Sequence, residues 1–304
     1  MIKYIDHFPD PVRHRFDKCE WFDSYGDADV IIHCKSGEIS FPTHWGPLSL
    51  KTTLMGTEYY IKNNTILGVN SHCILVFNED THYASYVRPY ERVESLTFNF
   101  GPIFLDSFHA YAGLNEQKLL DDPQICQADR VRFFEHVHSI SPSISHHIMA
   151  IGKMTADFRL NYQRIEEEMS FLYESLLIEH TRMNRLVDTI NAKRRSTREE
   201  IYRRVHIARD FIDSCYADPI SLEQLSEIAY MSKHHLLRQF KLLFKMTPHQ
   251  YLTLRRLKEA EHLLKTSHLK LNDICCDVGF EDRSSFTRLF KKHYKQTPAQ
   301  FRLS

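Results

Sequence analysis

Two periods of apolar residues divide this 304-residue chain. Between about Asp29 and Phe98 they come in short runs parted by turn residues, as in β-strands. The runs are Val30–Ile32, Ile39–Phe41, Leu48–Lys51, Tyr59–Ile61, Thr65–Val69, Ile74–Phe77, His82–Val87 and Val93–Phe98. Asn63-Asn64 and Asn78-Glu79-Asp80 supply turns. Short strands at this spacing imply a β-barrel or sandwich. Residues 1 to about 28 read as irregular, interrupted by Pro9, Pro11 and Gly26. After Phe98 the period lengthens to that of helices. Arg130–Val137 reads as amphipathic, Ser141-Pro142-Ser143 breaks it, and Ile144–Leu160 forms a second run. From Tyr162 to Asn191, Met169, Leu172, Leu176, Ile178, Met183 and Leu186 recur at three- and four-residue steps. Such a stripe is either domain core or a dimer surface.

The polar stretch Asn191–Ser196 reads as a linker, and Thr197-Arg198-Glu199-Glu200 as a capping box opening a helix that ends near Cys215. From Ser221 to Arg302 the pattern repeats. Arg238 falls on Arg288, Phe240 on Phe290, Lys241 on Lys291 and Thr247-Pro248 on Thr297-Pro298, at an offset of 50. Before the turn the offset is 49, Leu222 on Leu271 and Leu225 on Ile274, so the second turn holds one extra residue. Two copies of one small helical unit follow. In each, a short helix leads through a tight turn into a second helix. Ser221 starts a Ser-x-x-Gln capping box, and Ser232 caps the second helix. Leu236, Phe240 and Leu243 form that helix's apolar stripe; Lys233, His234, Leu237, Arg238 and Lys241 lie off it. In the second copy Phe286 and Phe290 point inward, and Arg283, Ser284, Thr287, Arg288 and Lys291 point out. A helix pair whose second helix shows polar and basic groups is the helix-turn-helix DNA reader. Between the copies Pro248 opens a helix to about Lys265, some 18 residues or about 27 Å long. That approaches the ~34 Å between successive major-groove faces, so one chain could place two readers on adjacent turns of DNA.

Three stretches resemble the AraC/XylS family of bacterial transcription regulators: Gly279-Phe280-Glu281-Asp282, then Ser285-Phe286-x-Arg288-x-Phe290-Lys291-Lys292, then Thr297-Pro298-x-x-Phe301-Arg302. The family usually has Gly just after each recognition helix; here Lys245 and Lys295 stand there, less comfortable if φ is positive. The resemblance implies an α+β chain. Residues 1–191 would be a cupin-like β-barrel sensor with a helical dimerisation region over about 130–191. Residues 192–304 would be an all-α DNA-binding domain with helix-turn-helix units near 221–245 and 270–295. It also implies a homodimer and, as partners, promoter DNA, a small-molecule effector and RNA polymerase. The DNA-facing positions are Ser232, Lys233, His234, Leu237, Arg238 and Lys241 in the first unit. In the second they are Arg283, Ser284, Ser285, Thr287, Arg288 and Lys291.

Charge sharpens this division. From Ala192 to Ser304 there are 22 Lys+Arg and 13 Asp+Glu, a net of +9; the rest of the chain, with 17 and 26, carries −9. A basic tail suits a polyanion. No apolar run reaches the length of a membrane span and no signal pattern opens the chain, so a cytoplasmic protein is expected. Seven Cys without paired spacing argue against a disulfide framework. Cupin enzymes hold a metal through His-x-His, a Glu and a later His. Here His44, His72 and His82 stand singly and His146-His147 reads as a polar helix face, so no metal, cofactor or catalytic residue is expected. His44, Tyr60, His82 and Tyr86 are the candidate effector residues, with alternation turning either Tyr60 or Tyr59 and Ile61 inward. Two alternatives remain: a barrel serving only dimerisation or a protein partner, and a cupin enzyme fused to a DNA reader.

Overall fold

The computed structural model describes residues 2–8, 21, 24–112, 131–156 and 160–303, with side chains for all of these except 110–112 and 303. The chain divides into two compact units, Met1–Arg185 and Leu186–Ser304.

The first unit contains strands β1 (Ile2–Ile5), β2 (Asp29–Ser36), β3 (Ile39–His44), β4 (Ser49–Met55), β5 (Thr57–Lys62), β6 (Thr65–Asn70), β7 (Cys73–Phe77), β8 (Tyr83–Val87), β9 (Val93–Asn99) and β10 (Val137–Ser139). Helices α1 (Pro102–Ala112), α2 (Pro142–Ala156) and α3 (Tyr162–Asp188) accompany them. The strands form a six-stranded sheet ordered β1-β2-β9-β4-β7-β10 and a four-stranded sheet ordered β3-β8-β5-β6. Among the described residues no hydrogen-bonded edge joins the sheets, so the expected closed barrel is an open sandwich. Side chains hold it together. Tyr60, Leu67, Val69 and Tyr83 of one sheet meet Leu75, Phe77 and Val137 of the other.

The six-stranded sheet is buried on both faces. Its outer face presents Ile31, Leu50, Ile74, Val76, Leu96 and Phe98 to Leu105 of α1, Ile148 and Ile151 of α2, and Met169, Leu172 and Leu176 of α3. Burial on both sides explains why β2 reads as an almost unbroken apolar run rather than an alternation. The stripe of α3 therefore divides. Met169, Leu172 and Leu176 are domain core, whereas Ile178 and Leu186, with Phe171, are exposed.

Two further expectations are corrected. Residues 131–135 are irregular and Val137–Ser139 is an edge strand antiparallel to β7, so no helix covers Arg130–Val137; Arg130 itself lies outside the described residues. Val137 turns into the sandwich, and sheet pairing overrides the short helical period. Within the segment read as irregular, Ile2–Ile5 is a strand paired in parallel with β2, because Ile2 and Ile5 are buried; Pro9 and Pro11 lie outside the described residues.

The second unit contains helices α4 (Arg195–Cys215), α5 (Leu222–Ile228), α6 (Lys233–Phe244), α7 (Pro248–Thr266), α8 (Leu271–Asp277), α9 (Arg283–Tyr294) and α10 (Pro298–Leu303). Helix α4 begins at Arg195, so Thr197 is helical rather than a cap; extended Arg194 takes the N-cap position without a side-chain bond. Glu200 pairs with Arg203 and Arg204, which draws its carboxyl down to about 2. Buried Leu252 sits in the first half of α7, while Leu257, Ala260 and Leu264 farther along pack on α8 and α9. Among the described residues no helix is long and apolar enough to cross a membrane.

Candidate nucleic-acid interface

The paired readers are built by the same local devices. Ser221 forms its capping box with Gln224, and Thr247 and Thr297 form the same box with Gln250 and Gln300. Ser232 and Asp282 cap the recognition helices α6 and α9, accepting from the backbone N–H of His235 and Ser285 at 3.4 and 2.7 Å. Both helices end in a left-handed lysine, Lys245 at φ 59° and Lys295 at φ 64°. Each ammonium reaches back to its own helix, Lys245 to Leu242 O at 2.8 Å and Lys295 to Lys292 O at 3.2 Å. A cation on the last carbonyls favours the negative helix end and offsets part of the strain that glycine would avoid.

The turns match as well. Tyr230 at φ 50° and Gly279 at φ 84° occupy equivalent places after α5 and α8. Met231 N–H donates to Ser226 O, and Phe280 N–H to Cys275 O. Helix α5 ends at Ile228 before cap Ser232, and α8 at Asp277 before cap Asp282, which locates the extra residue in the second turn.

Position by position, the helices present the same face. Phe240 and Phe290 are fully buried, as are Leu236 and Phe286. Ser232, Lys233, His234, Arg238 and Lys241 are exposed and Leu237 is half-buried; Arg283, Ser284, Arg288 and Lys291 are exposed, with Ser285 and Thr287 half-buried. Lys233 pairs with Glu223. Among the described residues no ion pair engages Arg238, Lys241, Arg283, Arg288 or Lys291. Several other basic groups of this unit are used differently. Arg209 is buried against Asp210, Arg255 pairs with Glu259, and Arg256 donates to the carbonyls of Tyr216 and Asp218. Sequence counting could not separate these structural cations from the uncommitted ones on α6 and α9.

The four candidate effector residues do not converge. Tyr60 points into the sandwich against Phe77 and Tyr83. His44 is buried near one end, with its ring 4.5 Å from that of Tyr83; burial, aided by the Lys51 ammonium, pulls its pKa down to about 4. Tyr86 lies on the outer face, stacked on Tyr59, and His82 is exposed beside Trp45. What sequence reading missed is the polar character of the interior, where Lys51 and Glu58 are buried. It also missed Glu168, which brings a carboxylate oxygen within 2.7 Å of His147 Nδ1. With His146 these groups place three ligating atoms within 4.8 Å of one another.

Comparison with known proteins agrees with this geometry. A family model described as a helix-turn-helix domain matches residues 225–304. An uncharacterized HTH-type transcriptional regulator of Haemophilus influenzae is 37% identical over 83 residues, and the chain spans only 28% of its length. The probable transcription factor PqrA of Proteus vulgaris is 39% identical over 83 residues, 27% of this chain and 68% of that protein. The HTH-type transcriptional activator RhaS of Escherichia coli strain SE11 is 24% identical over 280 residues, 91% of this chain and 93% of that protein. Among solved structures, the C-terminal domain of the two-component response regulator yesN from Fusobacterium nucleatum shares 37% identity, covering 32% of this chain and 94% of that one with a TM-score of 0.31. With the duplicated reader and its quoted motifs, the match to PqrA establishes that the chain belongs to the AraC/XylS family of transcription regulators.

Proposed function

We propose that this chain is a sequence-specific transcription regulator that grips one DNA duplex with both α6 and α9. The observation that carries the reading is the matched exposure of the two helices: basic and polar groups recur at equivalent positions outside buried Phe240 and Phe290. An Arg facing the major groove can bond two guanine acceptors, and one on phosphate adds affinity without sequence information. Arg238 and Arg288 suit both roles, since among the described residues no carboxylate pairs with either.

The first unit, on this reading, responds to a small molecule held in the sandwich. The regulator works in the cytoplasm as a homodimer, and the exposed Phe171 and Ile178 of α3 give pairing an apolar face. Contact with RNA polymerase belongs to the same reading and draws on the family resemblance. No catalytic step is assigned. Selection from a random duplex library with the full-length chain tests the proposal. An enriched motif with two elements about 10 base pairs apart is expected. Recovery of no preferred sequence would reject it.

A further inference from the structure

Two rows of side chains cross the inner face of the six-stranded sheet, and both carry polar groups where sandwich interiors are mostly apolar. In the first row stand Val30, Asn99, Ser49 and Phe77; in the next, Ile32, Thr97, Lys51 and Leu75. Asn99 and Ser49 are each 1% exposed. Among the described residues the amide nitrogen and oxygen of Asn99 and the hydroxyl of Ser49 have no hydrogen-bond partner. Buried polar groups are rarely left unsatisfied, so three in adjacent side chains call for something that bonds them.

Lys51 supplies the charge. It is 5% exposed and stands two residues along β4 from Ser49, about 7 Å away on the same face. Its ammonium lies 5.2 Å from the centre of the Tyr83 ring, and among the described residues no carboxylate lies within ion-pairing distance. The buried Glu58 carboxylate instead accepts the Ser95 hydroxyl at 2.6 Å. Burial pulls the Lys51 pKa down to about 8, opposed by Glu58, which leaves it largely cationic at neutral pH. Tyr83 and Phe77 stack at 4.2 Å beside these groups and offer an aromatic wall.

We propose that this interior binds a small hydroxycarboxylate, its carboxylate on Lys51 Nζ, Asn99 Nδ2 and Ser49 Oγ and its hydroxyl donating to Asn99 Oδ1; the proposal rests on reading the first unit as a sensor. A single lysine with two neutral donors matches a monoanion. The amide oxygen, which only accepts, selects a ligand that carries a donor beside the carboxylate.

The test is thermal unfolding of the full-length protein with lactate, 3-hydroxybutyrate and gluconate, each paired with its neutral amide. At least one acid should raise the Tm of the first unit by about 5 °C or more near saturation, and its amide should not. Lys51→Met should abolish the shift. Asn99→Leu should remove the preference for lactate over propionate or for 3-hydroxybutyrate over butyrate. If none of the three acids shifts Tm, or Lys51→Met responds as the wild type does, the polar row holds structural water only and the proposal is wrong. DNA binding of the same unliganded proteins is measured in parallel. Its loss in the wild type would defeat the regulator reading, while the Tm result still decides the site.

Discussion

The two turns that aim the recognition helices should answer to opposite substitutions. Gly279 sits at φ 84°, and a Cβ added there would lie 2.4 Å from the carbonyl oxygen of Ala217, with Ala217 C at 2.9 Å. A left-handed conformation costs a non-glycine residue about 1–2 kcal/mol, and forcing backbone apart adds about 1–3 kcal/mol. Gly279→Ala should therefore destabilise the second unit by about 2–5 kcal/mol. At roughly 4 °C per kcal/mol for a unit of this size, its Tm should fall by about 8 °C or more. Tyr230 already bears the left-handed cost, at φ 50° and 78% exposed, so its side chain contributes little packing in return. Tyr230→Gly should raise stability by about 0.5–1 kcal/mol. Calorimetry of the full chain, with helical circular dichroism to assign the transition, measures both. A Gly279→Ala protein as stable as wild type would refute the reasoning, as would a Tyr230→Gly protein that melts earlier.

Helix α3 gives a contrast between core and surface. Leu172→Glu with Leu176→Glu should unfold the first unit, because both leucines are buried; Phe171→Glu with Ile178→Glu should leave it folded and, on the dimer proposal, monomeric by light scattering. A folded dimer in the second case would remove this face from the interface. Burial raises the Asp29 carboxyl to about 6, against the Gly101 N–H that it accepts at 2.7 Å. The folded state therefore holds a proton that the unfolded state releases between about pH 4 and 6, so this group's contribution to stability falls as pH rises through that window. Asp29→Asn should abolish that component, gaining up to about 3 kcal/mol at pH 7 and little at pH 4. An equal gain at both pH values would reject it.

The second unit was legible because its instructions are local. Ser221 with Gln224, Thr247 with Gln250, and the Phe spacing of α6 and α9 each lie within a few residues. The duplication let one copy check the other. The Thr197 capping box failed because the same letters also fit a helix interior, and Arg194 is the residue in extended conformation. The first unit depends on distant pairings. Nothing near Leu172 states that it meets Leu96 and Phe98 across the sheet, and nothing near His147 announces Glu168. Alternation left Tyr59 and Tyr60 undecided until pairing of β5 with β8 set Tyr59 against Tyr86 outside and Tyr60 inside. The buried Lys51 could not be seen at all, since Ser49, Lys51 and Thr53 alternating with Leu50 and Leu54 read as a solvated face.

Simultaneous contact of α6 and α9 with one duplex is tested most directly by the salt dependence of DNA binding. The exposed Arg238, Lys241, Arg283, Arg288 and Lys291 supply the cations. If all five neutralise phosphate or groove charge, log K should fall against log salt with a slope of about −4.5, about five-hundredfold between 50 and 200 mM. Arg238→Ala and Arg288→Ala should each reduce the slope by about 1, and the double variant by about 2. On single-base operator variants Arg238→Ala should relax one position, and Arg288→Ala should weaken all sites evenly. A double variant with no more loss of slope than either single one would show that only one helix meets the DNA, and would contradict the two-reader grip.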